Sequence, residues 1–192
     1  MSGDVAGETG SKAAPGGLAT VQAFVNSVEL ETGREALGSP EGLAHWLSGH
    51  GLLEGTPSVG ESDLRLALEV REALRRVLLS NNGAPADTAA LATLSRLARS
   101  AQLSLLFGPG AGVRLESNAP GVDGALGRLL TVVFEAMIDG RWTRLKACAK
   151  EGCRWAFYDR SRNRSGTWCS MAVCGNQHKA QRFRRRGEPH AS

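Results

Sequence analysis

The chain has 192 residues, 42% of them hydrophobic and 5% aromatic, with a formal net charge of +4. That length holds one domain and a small module, or two small domains. No run of about twenty apolar residues is present to span a bilayer, and Met1–Gly17 has neither the basic start nor the apolar core of an export signal.

Residues 1–17 are rich in Gly, Ala and Ser and read as a disordered tail. From Leu18 the pattern is helical, with Leu18, Val21, Val25 and Val28 on one face. Residues 32–38 read as a loop. Ser39 offers an N-cap with Pro40 at the first helical position, and Leu43, Trp46 and Leu47 follow at helical spacing. Ser58 and Glu61 form a candidate capping box ahead of a strong helix. Its apolar residues Leu64, Leu68, Leu74, Val77 and Leu78 run to a stop at Asn81-Asn82-Gly83. Arg71, Arg75 and Arg76 read as its solvated face. Asp87 begins the next helix, with Leu91, Leu94, Leu97 and Ala101 inward.

Leu103–Phe107 and Val113–Glu116 flank a glycine-rich loop and read as a β-hairpin. That loop lacks the Gly-Lys-Ser/Thr ending of a phosphate-binding loop. Residues 121–139 are a further helix, with Leu126, Leu129, Leu130, Val133 and Met137 inward, ended by Gly140. Residues 142–147 lead as a short strand or extended linker into the next module. Trp155, Phe157 and Tyr158 form the returning strand.

All four cysteines lie in the last third of the chain, as Cys148-x4-Cys153 and Cys169-x4-Cys174, fifteen residues apart. Two close pairs across a medium loop make a four-cysteine zinc pattern, each pair supplying half a tetrahedron. Two disulfides would need an oxidising compartment, and free thiols would fall into two equal pairs only by chance. Four thiolates saturate zinc, so the site is structural rather than catalytic.

The charge is unevenly spread. Residues 1–140 carry ten Lys+Arg and sixteen Asp+Glu, a net −6; residues 141–192 carry thirteen and three, a net +10. Two of those positive charges offset the net −2 of a zinc–tetrathiolate cluster, and the surplus points to phosphate. After Cys174 the run from Asn176 to Arg186 has no helix breaker. On a helix Asn176, Ala180 and Phe183 share a face that would pack on the finger body. Lys179, Arg182 and Arg186 share another face, with His178, Gln181 and Arg185 beside it. Arg160, Arg162 and Arg164 lie in the loop between the cysteine pairs. They could meet phosphate, or one could brace Asp159. Trp142, Trp155 and Trp168 read as the small core of the finger.

These residues carry a resemblance. Phe157-Tyr158-Asp159, Ser161-Arg162-Asn163, Trp168-Cys169-Ser170-Met171 and Cys174-Gly175-Asn176 resemble the CGNR zinc finger of bacteria; Gln177 stands where that family has Arg. In that family the finger closes the chain after a domain described as a stress-induced transcription regulator. Phe24-Val25-Asn26, Leu43-Ala44-His45-Trp46-Leu47 and Gly51-Leu52 resemble that domain.

The expected fold is α+β and mainly helical. A helical domain with a β-hairpin spans 18–140, and a treble-clef-like four-cysteine finger spans 141–187, with tails at 1–17 and 188–192. Cys148, Cys153, Cys169 and Cys174 are the expected ligands of one structural zinc ion. Arg160, Arg162, Arg164, Gln177, His178, Lys179, Arg182, Arg185 and Arg186 are the candidate nucleic-acid contacts. The expected function is DNA binding in transcription regulation, in the cytoplasm and on the nucleoid. A protein-interaction finger docking a transcription or stress-response partner is the alternative, as is a small-molecule sensor in the first domain. RNA, a protein partner and a homodimer stay open. No catalytic motif is present, so no enzyme activity is expected.

Overall fold

In the computed structural model, residues 12–55, 58–109 and 112–187 are described, except for the side chains of Gln181, Arg182 and residues 184–187. The architecture is α+β and mainly helical. Helix α1 (Leu18–Val25) leads into a two-residue ribbon, β1 (Val28–Glu29) with β2 (Arg34–Glu35). Then come α2 (Pro40–Gly49), α3 (Glu61–Ser80) and α4 (Thr88–Ser100). The hairpin β3 (Leu103–Phe107) and β4 (Val113–Ser117) precedes α5 (Gly121–Ile138). A 3-10 turn at Trp142–Arg144 feeds the hairpin β5 (Leu145–Ala147) and β6 (Ala156–Tyr158). A π-turn at Met171–Gly175 runs into α6 (Asn176–Gly187). Among the described residues, no helix is long and apolar enough to cross a membrane.

Local chemistry sets several of these boundaries. The Ser39 hydroxyl accepts from the Gly42 amide at 3.1 Å with Pro40 at the first helical position, and Asp87 accepts from Ala90 at 2.9 Å. The start of α3 differs from the Ser58/Glu61 box. Its N-cap is Gly60, whose amide donates to the Asp63 carboxylate at 2.8 Å. The reach-back half of the motif is present, two residues later, because Asp63 is short enough to turn back within one helical turn. Residues 32–38 are not wholly loop, since Arg34 and Glu35 pair with β1. Helix α5 sits directly on the base of the β3–β4 ribbon. A Cβ on Gly127 would fall 2.3 Å from Ser117 Oγ and 2.6 Å from Ala101 Cβ.

The main core runs through α1, α2, α3 and α5, with Phe24, Leu43, Leu47, Leu74, Leu78, Leu126 and Leu129 fully buried. It does not stop at Gly140. Trp142, Leu145, Ala147, Ala156 and Tyr158 belong to the same apolar cluster, so Trp142 packs with the helices rather than in a separate finger core. Two inward assignments fail. Leu91 is 47% exposed and Met137 51% exposed, because the buried stripes of α4 and α5 run through Ala90 and Leu97 and through Val133 and Ala136.

The largest departure is on α3. Arg76 is exposed, but Arg71 and Arg75 are buried. Arg75 donates to the Val25 carbonyl at 2.5 Å, to the Arg154 carbonyl at 3.1 Å and to Glu72 at 3.0 Å. Arg71 donates to Glu35 at 2.7 Å, to Ser27 at 3.1 Å and to Glu72 at 3.0 Å. Burial pushes the Glu72 carboxyl up, but Arg75 and Arg71 outweigh it and hold the group below its usual range. A buried guanidinium needs its donors filled, and here three elements supply the acceptors.

The asparagines at the end of α3 are clamps as well as stop signals. Asn81 donates to the Trp142 and Leu145 carbonyls at 3.0 and 2.9 Å, and Asn82 to Ala147 and Thr167 at 2.8 and 2.9 Å. On α1, Asn26 pairs both ways with the backbone of Ala156, at 2.7 and 2.9 Å. Residues 12–17 are held too, contrary to a disordered tail to 17. The Lys12 carbonyl accepts from the Tyr158 amide at 2.9 Å, and Ala14 donates to Gln22 at 2.7 Å. Residues 1–11 and the tail at 188–192 lie outside the described residues.

Replacing Arg75 by Ala would strand the Val25 and Arg154 carbonyls and half of Glu72. Chemical denaturation should show a loss of about 2–4 kcal/mol. Arg76→Ala should stay within about 0.5 kcal/mol.

Candidate metal centre and basic helix

Two local structures carry the cysteines. Cys148 follows β5, with its amide donating to the Trp155 carbonyl at 2.9 Å. The chain then turns so that Cys153 and Arg154 both donate to the Lys150 carbonyl, at 3.0 and 3.1 Å, with Arg154 at φ 50°. The second pair flanks the start of the terminal helix. Ser170 Oγ accepts from the Val173 amide, and Gly175 donates to the Ser170 carbonyl at 3.1 Å, which places Cys174 in the π-turn. One backbone bond joins the halves, Ala149 N–H to the Thr167 carbonyl at 3.2 Å.

The four sulfurs all lie within 4.8 Å of one another. Cys153 and Cys169 are 3.6 Å apart and Cys169 and Cys174 3.7 Å. A tetrahedron with zinc–sulfur bonds of about 2.3 Å has edges of about 3.8 Å, so the set has the shape the ion requires. Its electrostatics couple the four thiols. Hydrogen bonds from Cys153 and Cys169 hold Cys148 down to about 2. The same contact with Cys148 pushes Cys153 up to about 12 and Cys169 upward, while Cys174 is raised first by burial. Four thiols cannot all ionise at this spacing alone; a divalent ion reverses that balance and takes all four as thiolates. Three of the sulfurs are buried, and Trp155, Trp168 and Phe157 pack around them.

Beside the metal site, a buried ion pair shapes the loop between the cysteine pairs. Lys146 uses all three of its donors, on Asp159 at 2.8 Å and on the Arg164 and Gly166 carbonyls at 2.5 and 3.1 Å. Asp159 accepts in addition from the amides of Ser161 and Gly166, at 2.9 and 2.8 Å. Burial raises its carboxyl, but bonds from Lys146, Ser161 and Gly166 outweigh it and hold the group well below the usual carboxylate range. Residue 166 must be glycine for this approach: a Cβ there would lie 2.8 Å from the Asp159 carboxyl carbon.

The brace on Asp159 is therefore Lys146 and not one of the loop arginines. Lys146 stands between Leu145 and Ala147 on β5, which is buried throughout, opposite β6, which Asp159 follows; no local pattern in the sequence marks it. Arg160 donates to the Ala13 carbonyl at 2.9 Å and lies 5.6 Å from the Tyr158 ring centre. Arg164 reaches Thr143 at 3.4 Å. Arg162 is exposed and has no partner among the described residues.

Apart from His178 on Trp168, the described side chains of helix α6 do not pack on the finger. Asn176, Gln177, His178, Lys179 and Ala180 are all exposed, and Phe183 is 81% exposed. The expected apolar seam of Asn176, Ala180 and Phe183 against the finger does not form, because two small or apolar positions offer too little area to offset turning five cations toward the body. His178 lies over Trp168, with ring centres 4.8 Å apart. The side chains of Arg182, Arg185 and Arg186 lie outside the described residues.

Two family models match the chain. Residues 18–140 match the model described as Putative stress-induced transcription regulator, and residues 144–187 match the CGNR zinc finger. The chain belongs to the Putative stress-induced transcription regulator family, with a CGNR zinc finger at its end. No curated protein matches it. In this CGNR protein the finger holds one structural zinc ion through Cys148, Cys153, Cys169 and Cys174. Gln177, in the position of the family arginine, is exposed on the first turn of α6 and leaves the ligand set untouched.

Metal analysis of the reduced CGNR protein should give one zinc per chain, and chelation should lower the melting temperature of the whole chain, because strands β5 and β6 share the main core. A depressed carboxyl stabilises the fold above its unfolded pKa and ceases to do so as pH falls toward its folded one. The stability gap between the wild type and Asp159→Asn should thus be full at neutral pH and shrink below about pH 4, the ordinary aspartate range. Parallel denaturation curves across pH would show it.

Proposed function

We propose that this regulator binds DNA through the finger, with α6 as the contacting helix and the loop around Arg162 as a second phosphate contact. The observation that carries the reading is the state of α6. It spans twelve residues with five Lys+Arg and no Asp or Glu, and every side chain described on it is exposed. A helix of about that length is marginal in water without packing, and like charges destabilise it further. A polyanion offsets that repulsion, and the groove of a duplex matches an uncovered cationic helix. The metal turn sets the direction in which the helix leaves the body.

In this reading phosphate contacts come from Arg162 and Lys179, with Arg182, Arg185 and Arg186 continuing the cationic run, while Gln177 and His178 lie nearest the point where the helix is anchored. Arg160 and Arg164 serve the finger's own structure first. The protein is a binding module rather than an enzyme, and in a bacterial cell it would sit on the nucleoid.

One observation favours a second reading. Phe183, with Met171 and Val173 also exposed, gives the finger an apolar spot that a protein partner could cover. Phosphate contact predicts a linear fall of log affinity with log salt on mixed genomic DNA, and Arg162→Ala and Lys179→Ala should each reduce that slope by about 1. Affinity independent of salt would overturn DNA binding. Phe183→Ser abolishing binding to a captured protein, with DNA affinity unchanged, would favour the second reading.

A further inference from the structure

The β3–β4 ribbon leaves the body with one face uncovered. Its register pairs Leu103 with Ser117, Leu105 with Leu115 and Phe107 with Val113, so these side chains share one face. At the base that face meets the body: Ser117 bonds the Ala101 carbonyl at 3.0 Å, and Leu103 packs on the core. Further out it is bare. Phe107 is 82% exposed, Val113 53% and Leu105 51%. An isolated two-stranded ribbon is marginal in water, and an edge strand with a row of backbone N–H and C=O groups turned outward is a template for pairing with another chain.

The edge residues identify the partner. Gly108 donates to the Gly112 carbonyl at 2.8 Å, which makes that a hydrogen-bonded pair. By alternation, 106 with 114 and 104 with 116 are hydrogen-bonded pairs too, and the backbone groups of Val113, Leu115 and Ser117 point away from β3. Now place a second β4 antiparallel to the first about Leu115. Leu115 then exchanges bonds with its own copy, and Val113 meets Ser117 of the other chain. Arg114 stands opposite Glu116 of the other chain, and Glu116 opposite Arg114, both in the closely spaced class of pair. Within one chain Arg114 and Glu116 already bond side by side. The strand therefore complements itself in charge about a two-fold axis, the symmetry of an isologous dimer. The same operation on β3 would set Ser104 against Leu106 and gains nothing.

We propose that two copies of this chain associate through β4, forming a continuous four-stranded sheet in which Val113 and Leu115 of one copy lie beside Ser117 and Leu115 of the other. The dimer carries two fingers related by a two-fold axis, and such a pair addresses inverted half-sites if the DNA-binding reading holds. The dimer itself does not depend on that reading, and its test contains no DNA.

Sedimentation equilibrium of the zinc-loaded full chain should give the mass of two chains at micromolar concentration. Arg114→Glu sets Glu against Glu across the axis, and Glu116→Arg sets Arg against Arg; each alone should have the mass of one chain with an unchanged circular dichroism spectrum. Mixing the two variants restores opposite charges at both places, and the mixture should recover the two-chain mass, as should the double variant R114E/E116R. A wild type that is monomeric throughout, single variants that still dimerise, or a mixture that stays monomeric would each overturn the proposal.

Discussion

Four sulfurs held within 4.8 Å of one another can all be thiolates only with a cation among them. Without one, the first thiolate forms at Cys148 and its neighbours are driven to keep their protons. With one, the turn after β5 and the π-turn before α6 become two faces of a single rigid object. A segment this small buries too little apolar area to hold itself together. The ion supplies that closure and sets where the terminal helix begins.

The finger is nevertheless not a separate bead on the chain. Its hairpin turns Leu145, Ala147, Ala156 and Tyr158 into the core of the helical domain. Its exposed strand edge and loop carbonyls are taken up by Asn26, Arg75, Asn81 and Asn82 and by the backbone of Lys12. These are mostly neutral or charge-assisted bonds from side chains to backbone carbonyls, which fix orientation as well as adding stability. Metal binding and the packing of the first 140 residues are thereby linked through the β5–β6 hairpin, whose Leu145, Ala147, Ala156 and Tyr158 lie in the main core while Phe157 lies in the smaller cluster around the cysteines. A change in either half has a direct physical route to the direction of α6.

Charge is partitioned along the same line. Inside the finger, Lys146 and Asp159 neutralise each other where water is excluded, and the loop is wrapped on that pair. Outside, Arg162 and the first turn of α6 remain in water. The buried pair costs desolvation that its five hydrogen bonds offset, and it spends one cation of the module on structure. Arg141 and Lys150 are paired with Asp139 and Glu31, and Arg144 with the carbonyls of Asp159 and Ser161, so the cations left facing water include Arg162 and Lys179.

Much of this was legible in the chain alone. Cysteine spacing names the ligands, because a tetrahedral ion asks only for two close pairs and a loop that can close. Ser39-Pro40 and Asp87 mark helix starts, because caps are local chemistry. The β3–β4 hairpin and the length of α5 follow from periodicity. Burial of charge was not legible. Arg71 and Arg75 lie at positions a solvated face would occupy, and only the arrival of β2, α1 and the Arg154 turn gives them acceptors. Asn81 and Asn82 look like helix punctuation until the finger's carbonyls are brought to them. Lys146 looks like one more surface cation until Asp159 comes across the hairpin. Pairs, caps and ligand spacings depend on neighbours a few residues away. The partners of a buried polar group depend on which distant backbone the fold brings near, and that is decided only when the whole chain has packed.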